Sequence, residues 1–435
     1  MLAATASPTR VAATDVTFTD VTFKAEINLK ETYDSNVYIQ DNDPDPKNVA
    51  AAKAVGLRPV EANKGSLVTS VLPRIGLNYK PFAAFGLSAT YASDAVFYHS
   101  ANSEDYVTHR GMIDFGGKVG DASWELTNTA TYIDGSREGP TFAQPDEIPA
   151  IGGIPLRDRR AAFVFRNSFR LTEPVGDWFF RPVAASYIHD FKTRQLFVPS
   201  TQYTYENYIS RQDVSGGLDV GYRVLEGLHV LVGYRYGRQD QFKGFEKEGT
   251  SVKFVDSPYS NSYSRILVGV EGSPASWVKL AVLFGPDIRT WDDSARLRSG
   301  PYAAFNQNKL LYYWDASATF LPTENDTVTL KSLRYEQPAF SSFSMYEDIK
   351  TDLAWQHQLR GHLTASAGFT LYIGDWQQPV NRDDWIYTPN ASLKYAFTQN
   401  LSAEVTYSYD WVDSKVSASR EFTRHLATLG VKYAL

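Results

Sequence analysis

An alternation of apolar and polar side chains at every second residue, renewed from one end of the chain to the other, restricts this sequence more than any other feature. Between Leu401 and Trp411 one face carries Leu401, Ala403, Val405, Tyr407, Tyr409 and Trp411, and the other Ser402, Glu404, Thr406, Ser408 and Asp410. Only an extended strand, whose successive side chains point to opposite sides, separates those two sets. The split recurs at 363–374 and again at 21–30, where Val21, Phe23, Ala25, Ile27 and Leu29 oppose Thr22, Lys24, Glu26, Asn28 and Lys30. Helical periodicity is absent, and no run of 18 apolar residues exists to cross a bilayer as a helix.

The links between strands come in two kinds that alternate along the chain. Short ones rich in Gly, Pro, Asn and Asp fall near 80–84, 119–122, 173–177, 224–227, 272–276, 322–326, 358–361 and 398–400. Longer ones fall near 34–66, 99–105, 135–158, 192–207, 242–261, 291–306, 338–343, 376–383 and 413–419. Eight short turns and nine long loops imply about 18 antiparallel strands with both ends on the short-turn side. The expected fold is all-β, a transmembrane antiparallel up-and-down barrel over residues 19–435, preceded by a short periplasmic segment at 1–18. In such barrels the short turns face the periplasm and the long loops face outside.

A soluble sandwich or propeller is the competing all-β solution. Composition and aromatic placement argue against it. Aromatics make up 14% of the residues, yet mean hydropathy is −0.33 and 21% of residues are charged, which suits a barrel with a lipid-facing skin and a wet interior. Phe82, Phe85, Trp124, Trp178, Tyr395 and Phe397 flank the short turns, and Tyr33, Tyr91, Tyr132, Tyr187, Tyr236, Tyr409 and Trp411 lie toward the long loops, as interfacial girdles do. A net charge of −6 disfavours nucleic acid as a partner, and the lack of cysteine excludes disulfides and thiolate chemistry. Four prolines within strands, Pro73, Pro182, Pro286 and Pro389, cannot donate to the ladder and belong at strand ends, bulges or unpaired positions, with local bulges close to the rim expected.

The last stretch, Ala427, Leu429, Val431, Tyr433 and Leu435 alternating with Thr428, Gly430, Lys432 and Ala434, resembles the C-terminal strand that barrel-assembly machinery recognises, although such strands usually end in Phe or Trp. The segments Ile27 to Val37, Leu72 to Tyr79 and Thr388 to Tyr395 resemble porin-type outer-membrane β-barrels linked to exopolysaccharide export. That resemblance implies an outer-membrane location and contact with lipid and lipopolysaccharide. It also brings in export of polysaccharide or another polymer, served by a periplasmic partner and lumenal aromatics such as Tyr313 and Tyr372.

No phosphate loop, zinc-helix motif or nucleophile elbow is present, so no cofactor, metal site or catalytic residue is assigned. The seven histidines, His99, His109, His189, His229, His357, His362 and His425, lack ligand spacing and read as wall or rim residues. Asp41, Asp43 and Asp45 cluster oxygen ligands of the kind Ca²⁺ takes, but not at EF-hand spacing, and a solvated acidic loop is the expectation. Carrying the alternation through each strand places Arg166, Arg170, Arg211, Arg223, Arg235, Arg265, Lys279 and Arg289 on one side of the lumen. Asp315, Asp348, Asp352, Glu404 and Asp410 then fall on the other, giving a transverse field. Trp178, Phe179 and Phe180 leave the register of their strand open. The long loop at 134–157 is the expected constriction, since Glu147, Ile148, Ile151 and Ile154 belong to a run too apolar for open water. The function expected is passive diffusion of small polar solutes or ions without enzymatic chemistry. Polymer export and a structural role in an envelope complex are the alternatives, and the oligomeric state is left open.

Overall fold

The computed structural model describes residues 16–18, 21–39, 41–44, 46–47, 49–50, 61–134, 161–192, 195–200, 203–207, 209–248, 251–339, 343–378, 381–414 and 421–435. Within them the alternating segments form 18 long strands. In chain order these are β1 (Val21–Asp34), β2 (Ser66–Phe82), β3 (Phe85–Tyr98), β4 (Tyr106–Val119), β5 (Ala122–Asp134) and β6 (Ala161–Val175). There follow β7 (Trp178–Phe191), β8 (Arg211–Leu225), β9 (Leu228–Gln241), β10 (Asn261–Ala275), β11 (Val278–Trp291) and β12 (Leu311–Phe320). The last six are β13 (Asp326–Pro338), β14 (Met345–Arg360), β15 (Leu363–Trp376), β16 (Arg382–Ala396), β17 (Leu401–Ser414) and β18 (Phe422–Ala434). Each pairs antiparallel with its successor, and β1 pairs with β18 from Glu26 opposite Ala434 to Asp34 opposite Leu426, so the sheet closes with no free edge. A short strand, Val16–Phe18, folds back on the start of β1, and two small hairpins rise from the long loops at 195–207 and 244–255.

The two kinds of link fall on opposite rims. The short turns are tight because residues such as Gly176, with φ of +62°, take a backbone conformation that costs an L side chain strain. Register shifts sit beside these turns, between Tyr79 and Phe82, Arg223 and Leu225, Gly272 and Ala275, and Gln358 and Arg360.

The prolines take unpaired positions, as expected of residues without an N–H, but without the expected bulges. Pro73 lies opposite Ile27, Pro182 opposite Leu218, Pro286 opposite Tyr312 and Pro389 opposite Phe369, each inside a strand, and the register on either side of every one is unbroken. What each proline does is interrupt pairing with its other neighbour, as between Val71 and Arg74 toward β3 and between Tyr387 and Asn390 toward β17. The ring removes the one N–H that faces that strand while its fixed φ suits extended backbone, so one rung is lost without an extra residue.

Candidate functional site

The two faces of the wall differ in kind. Apolar side chains on the outward parity stay open, with Ile75 and Val232 58% exposed and Val405 57% exposed, although each lies mid-strand. Their inward neighbours are covered: Leu231 is 5% and Leu267 1% exposed. A soluble protein buries such a skin; a barrel in hydrocarbon presents it to lipid.

The inward face of β7 to β11 is an ionic lattice. Arg181 on β7 grips Glu271 on β10 with both terminal nitrogens, Nη1 to Oε2 at 2.8 Å, and its Nε donates to Thr172 at 3.2 Å. Asp219 on β8 sits between Arg181 at 3.8 Å and Arg235 of β9 at 2.7 Å. The guanidinium of Arg181 lies 4.3 Å from the ring of Phe179, which has room because Gly221 beside it has no side chain: a Cβ there would come within 2.1 Å of the ring. Nearer the long loops, Arg265 and Arg289 share Asp287 at 3.0 Å each, and Arg265 is held between the rings of Tyr263 and Tyr313 at 4.1 and 4.4 Å. Asp213 accepts from Tyr263 at 2.8 Å and from Gln239 at 2.7 Å. Carboxylates as buried as Asp219 and Asp287, both 2% exposed, persist only because such partners offset a desolvation cost of several kcal/mol each.

Toward the long-loop rim the lumen is crossed. β12 pairs with β13 only as far as Trp314 opposite Arg334, whereas β13 and β14 stay paired up to Pro338 opposite Met345. Beyond Arg334 the β13–β14 hairpin parts from β12 and leans inward while β14 stays paired with β15 up to Tyr346 opposite Trp376, and side chains from β8, β9 and β11 take up its carbonyls. Arg211 donates to the Pro338 carbonyl at 2.5 Å, Gln239 to that of Glu336 at 3.0 Å, Gln241 to that of Ala339 at 2.7 Å and Arg289 to that of Glu336 at 2.8 Å. A line of rings and cations runs through the same place. Arg166 and Arg211 lie 5.0 and 5.7 Å from the ring of Tyr187, Arg211 lies 5.5 Å from that of Tyr346, and Tyr346 stacks on Trp376 at 4.7 Å. Above it Tyr259, Trp291, Leu297, Tyr302, Phe305, Phe343 and Met345 form an apolar core beneath the loops. Burial there raises the Tyr259 phenol above the usual tyrosine range, and its hydroxyl donates to the Gln378 carbonyl at 2.5 Å. A second cluster joins Ile39, Ile386, Val412 and Phe422 to Phe191, which comes from the far side of the cylinder.

The remaining arc carries pairs of both signs. Arg424 donates to Asp34 through Nε at 2.9 Å and lies 4.0 Å from Asp410, which accepts from Thr388 at 2.8 Å. Lys350 meets Asp352 at 3.0 Å, Arg110 approaches Asp94 at 3.9 Å, and Lys432 holds Glu26 at 2.6 Å. Among the described residues no group of three or more His, Cys, Asp or Glu is spaced to hold a metal ion.

Residues 315–435, from β12 to the C-terminus, match the family described as "Putative beta-barrel porin 2". The match covers the C-terminal strands, and the closed cylinder with its apolar outer skin and charged inner wall decides the fold class. The chain is an outer-membrane β-barrel protein. No curated protein matches it. Solved structures similar to it include the copper transporter OprC, at 10% identity and a TM-score of 0.46 over 97% of this chain and 82% of that one. Outer membrane protein OpdK of Pseudomonas aeruginosa is similar at 10% identity and a TM-score of 0.41, over 95% and 98% of the two chains. OccAB4 of Acinetobacter baumannii is similar at 11% identity and a TM-score of 0.41, over 98% and 99%.

The outer-membrane barrel places the residues singled out from sequence in three ways. Arg166, Arg211, Arg235, Arg265 and Arg289 join the lattice and the crossing described above, and Arg170 stands within electrostatic reach of Glu271 and Asp315. Arg223 pairs instead with Asp177 in a short turn, at the rim, and Lys279 lies exposed near the same rim. Asp348 is buried beside Tyr335 and Tyr372, and Glu404 stands apart from the ion pairs. Glu147, Ile148, Ile151 and Ile154 lie outside the described residues, as does Asp45 of the acidic loop, in which Asp41 accepts the backbone N–H groups of Asp43 and Glu421 at 2.8 and 3.0 Å.

The expected division into a basic and an acidic side is corrected. Asp213, Asp219, Glu271 and Asp287 are interleaved with the arginines of β7 to β11, while Lys350, Lys394, Arg424 and Lys432 are interleaved with the acids of β14 to β18. Opposite charges on adjacent strands shorten the field to the reach of each pair. Tyr187 is no girdle residue: it points inward between Arg166 and Arg211, because in β7 it is Trp178 and Phe180 that face out and Phe179 that faces in. Arg181, Asp219 and Glu271 escaped the sequence reading, yet all lie on the polar parity of their strands. Once Phe179 is placed inward, Arg181 follows.

Proposed function

We propose that this barrel is a passive channel that carries small polar solutes or ions across the outer membrane, with no chemistry at its wall. The inner face around β16 to β18 and β1 to β5 carries the reading. There, below the crossing, Lys24, Lys30, Arg74, Asn78, Thr90 and Lys394 line the wall as water-seeking groups, and among the described residues Lys30, Arg74, Asn78, Thr90 and Lys394 make no hydrogen bond to the facing wall. Such a surface is stable only against water, and water from rim toward rim is what a diffusing solute needs.

The short-turn rim faces the periplasm in this reading, so both ends of the described cylinder lie on that side. The apolar skin sits against lipid and lipopolysaccharide, and β18 serves the assembly machinery. A homo-oligomer or a periplasmic partner remains compatible with the outer face and the turns. Nothing favours polymer export: the ring of Tyr313 covers Arg265, and Tyr372 packs against the second apolar cluster, so neither is open to stack on a sugar.

Reconstitution in planar bilayers tests the proposal. Ohmic steps, smaller than an unobstructed cylinder of this strand number gives, are expected. A folded barrel that passes no current in salt at moderate voltage would leave the structural role as the surviving reading.

A further inference from the structure

On the short-turn half of the lumen wall a small hollow lies over Gly430, and its surroundings are cationic. Lys30, Gly430, Glu404 and Lys394 stand directly opposite one another across β1, β18, β17 and β16, forming one row around the cylinder. Lys432, one inward position below Gly430, completes the lining. The floor exists because residue 430 has no side chain: a Cβ there would come within 3.5 Å of the Asn28 carboxamide oxygen and of Lys30 Cγ, filling the space between them. The hollow measures about 60 Å³ and opens on the lumen.

Its charges are less neutralised than those elsewhere on the wall. The arginines of β7 to β11 are each locked to a carboxylate, a ring or a carbonyl, whereas among the described residues neither Lys30 nor Lys394 makes an ion pair. Lys432 holds Glu26 at 2.6 Å, and Glu404 makes no ion pair with the lysine opposite it. Three ammonium groups face one carboxylate in the lining, a formal +2, or +1 with Glu26 included. Ammonium groups on long flexible stems can converge on one ligand, and Thr406 and Thr428 add hydroxyl donors at the edge.

We infer that this hollow is a binding station for small oxyanions, such as phosphate or a carboxylate, on the path through the barrel. The inference rests on the reading of the barrel as a channel, for it names the solute class that channel favours. An oxyanion entering the row is drawn by Lys30 and Lys394, held by two or three N–H and O–H donors, and released because the site is open to water and shallow.

The test combines current and equilibrium binding. In planar bilayers the wild type is expected to prefer chloride over potassium, and millimolar inorganic phosphate is expected to reduce the chloride current. In the Lys30→Gln/Lys394→Gln variant the half-blocking phosphate concentration is expected to rise about tenfold and the reversal potential to move toward potassium. Glu404→Gln, which keeps every lysine, is expected to strengthen the block. Heat-modifiable migration in detergent confirms that each variant is a closed barrel. Equal block and equal selectivity in wild type and double variant overturn the inference while leaving the channel intact. Should the wild type pass no current, the channel reading fails instead, and ³¹P line broadening on the detergent-solubilised barrel decides the site. Broadening that the double variant abolishes supports it, and the absence of broadening in wild type overturns it.

Discussion

Arg211 of β8 and Tyr346 of β14 meet inside the barrel, both terminal guanidinium nitrogens lying 3.4 Å from the phenol oxygen, although five strands separate their positions on the wall. The contact exists because the β13–β14 hairpin parts from β12 and leans inward until its carbonyls reach the side chains of β8 and β9. A cylinder of this strand number holds a wide aqueous interior unless something fills it. Here the wall itself does so at the long-loop end.

Cutting that crossing is expected to open the lumen. In Arg211→Ala the planar cation between Tyr187 and Tyr346 is removed, together with its bond to the Pro338 carbonyl. Single-channel conductance in planar bilayers is expected to rise roughly twofold, with more current noise, because a pore's resistance concentrates at its narrowest place. Conductance equal to wild type would place the narrowest point elsewhere.

The buried Arg181 is expected to matter more to stability than to transport. Arg181→Ala leaves Glu271 and Asp219 with one cation fewer in a site where Asp219 is 2% exposed, and a broken buried ion pair costs about 3–5 kcal/mol. Urea unfolding in detergent micelles, followed by tryptophan fluorescence, should show a loss of that size. The paired change Arg181→Met with Glu271→Gln should recover part of it, since the uncompensated charge is then gone.

Adjacent residues on β9 are expected to respond in opposite senses to charge. Val232 faces outward at 58% exposure and Gly233 faces the lumen beside Asp219. Val232→Arg carries a cation into lipid and is expected to cost about 2–4 kcal/mol near the bilayer midplane. Refolding equilibria into liposomes measure it. A cost below about 0.5 kcal/mol would mean that this face meets protein or water rather than hydrocarbon.

Tyr259 makes loop docking sensitive to alkali. Its phenol, raised above the usual range by burial, donates to the Gln378 carbonyl. Because the folded pKa exceeds the unfolded one, the contribution is complete below about pH 10 and is lost as pH climbs through the folded value. Tyr259→Phe is expected to weaken docking by about 1 kcal/mol at neutral pH and to remove the alkaline loss. Amide exchange in the 256–260 and 377–378 segments reads both effects, and alkaline loosening that persists in the Phe variant would assign it to another group.

The cylinder was legible in the sequence because its cause is local. A strand turns alternate side chains to opposite sides, so a wall between hydrocarbon and water writes its two solvents into alternate residues, and each strand carries that record alone. The turns and loops follow from where the record breaks, and the observed strand limits agree with the breaks to within a few residues, the widest departure being at β12, which begins at Leu311 where the loop was expected to end near 306. The inward parity of Arg235, Arg265 and Arg289 is legible for the same reason.

What the charges do to one another was not legible. Parity says that Arg181, Asp219 and Glu271 face inward; only the register across β7, β8 and β10 says that they touch. The pairing of Arg211 with Tyr346, the inward lean of Tyr187 and the hollow over Gly430 depend on distances between residues far apart in the chain, and no periodicity encodes those. Pattern along a strand is set by the solvent on each face and is readable residue by residue. Contact across the lumen is set by how the closed sheet curves and where β13 parts from β12, and only the assembled cylinder fixes that.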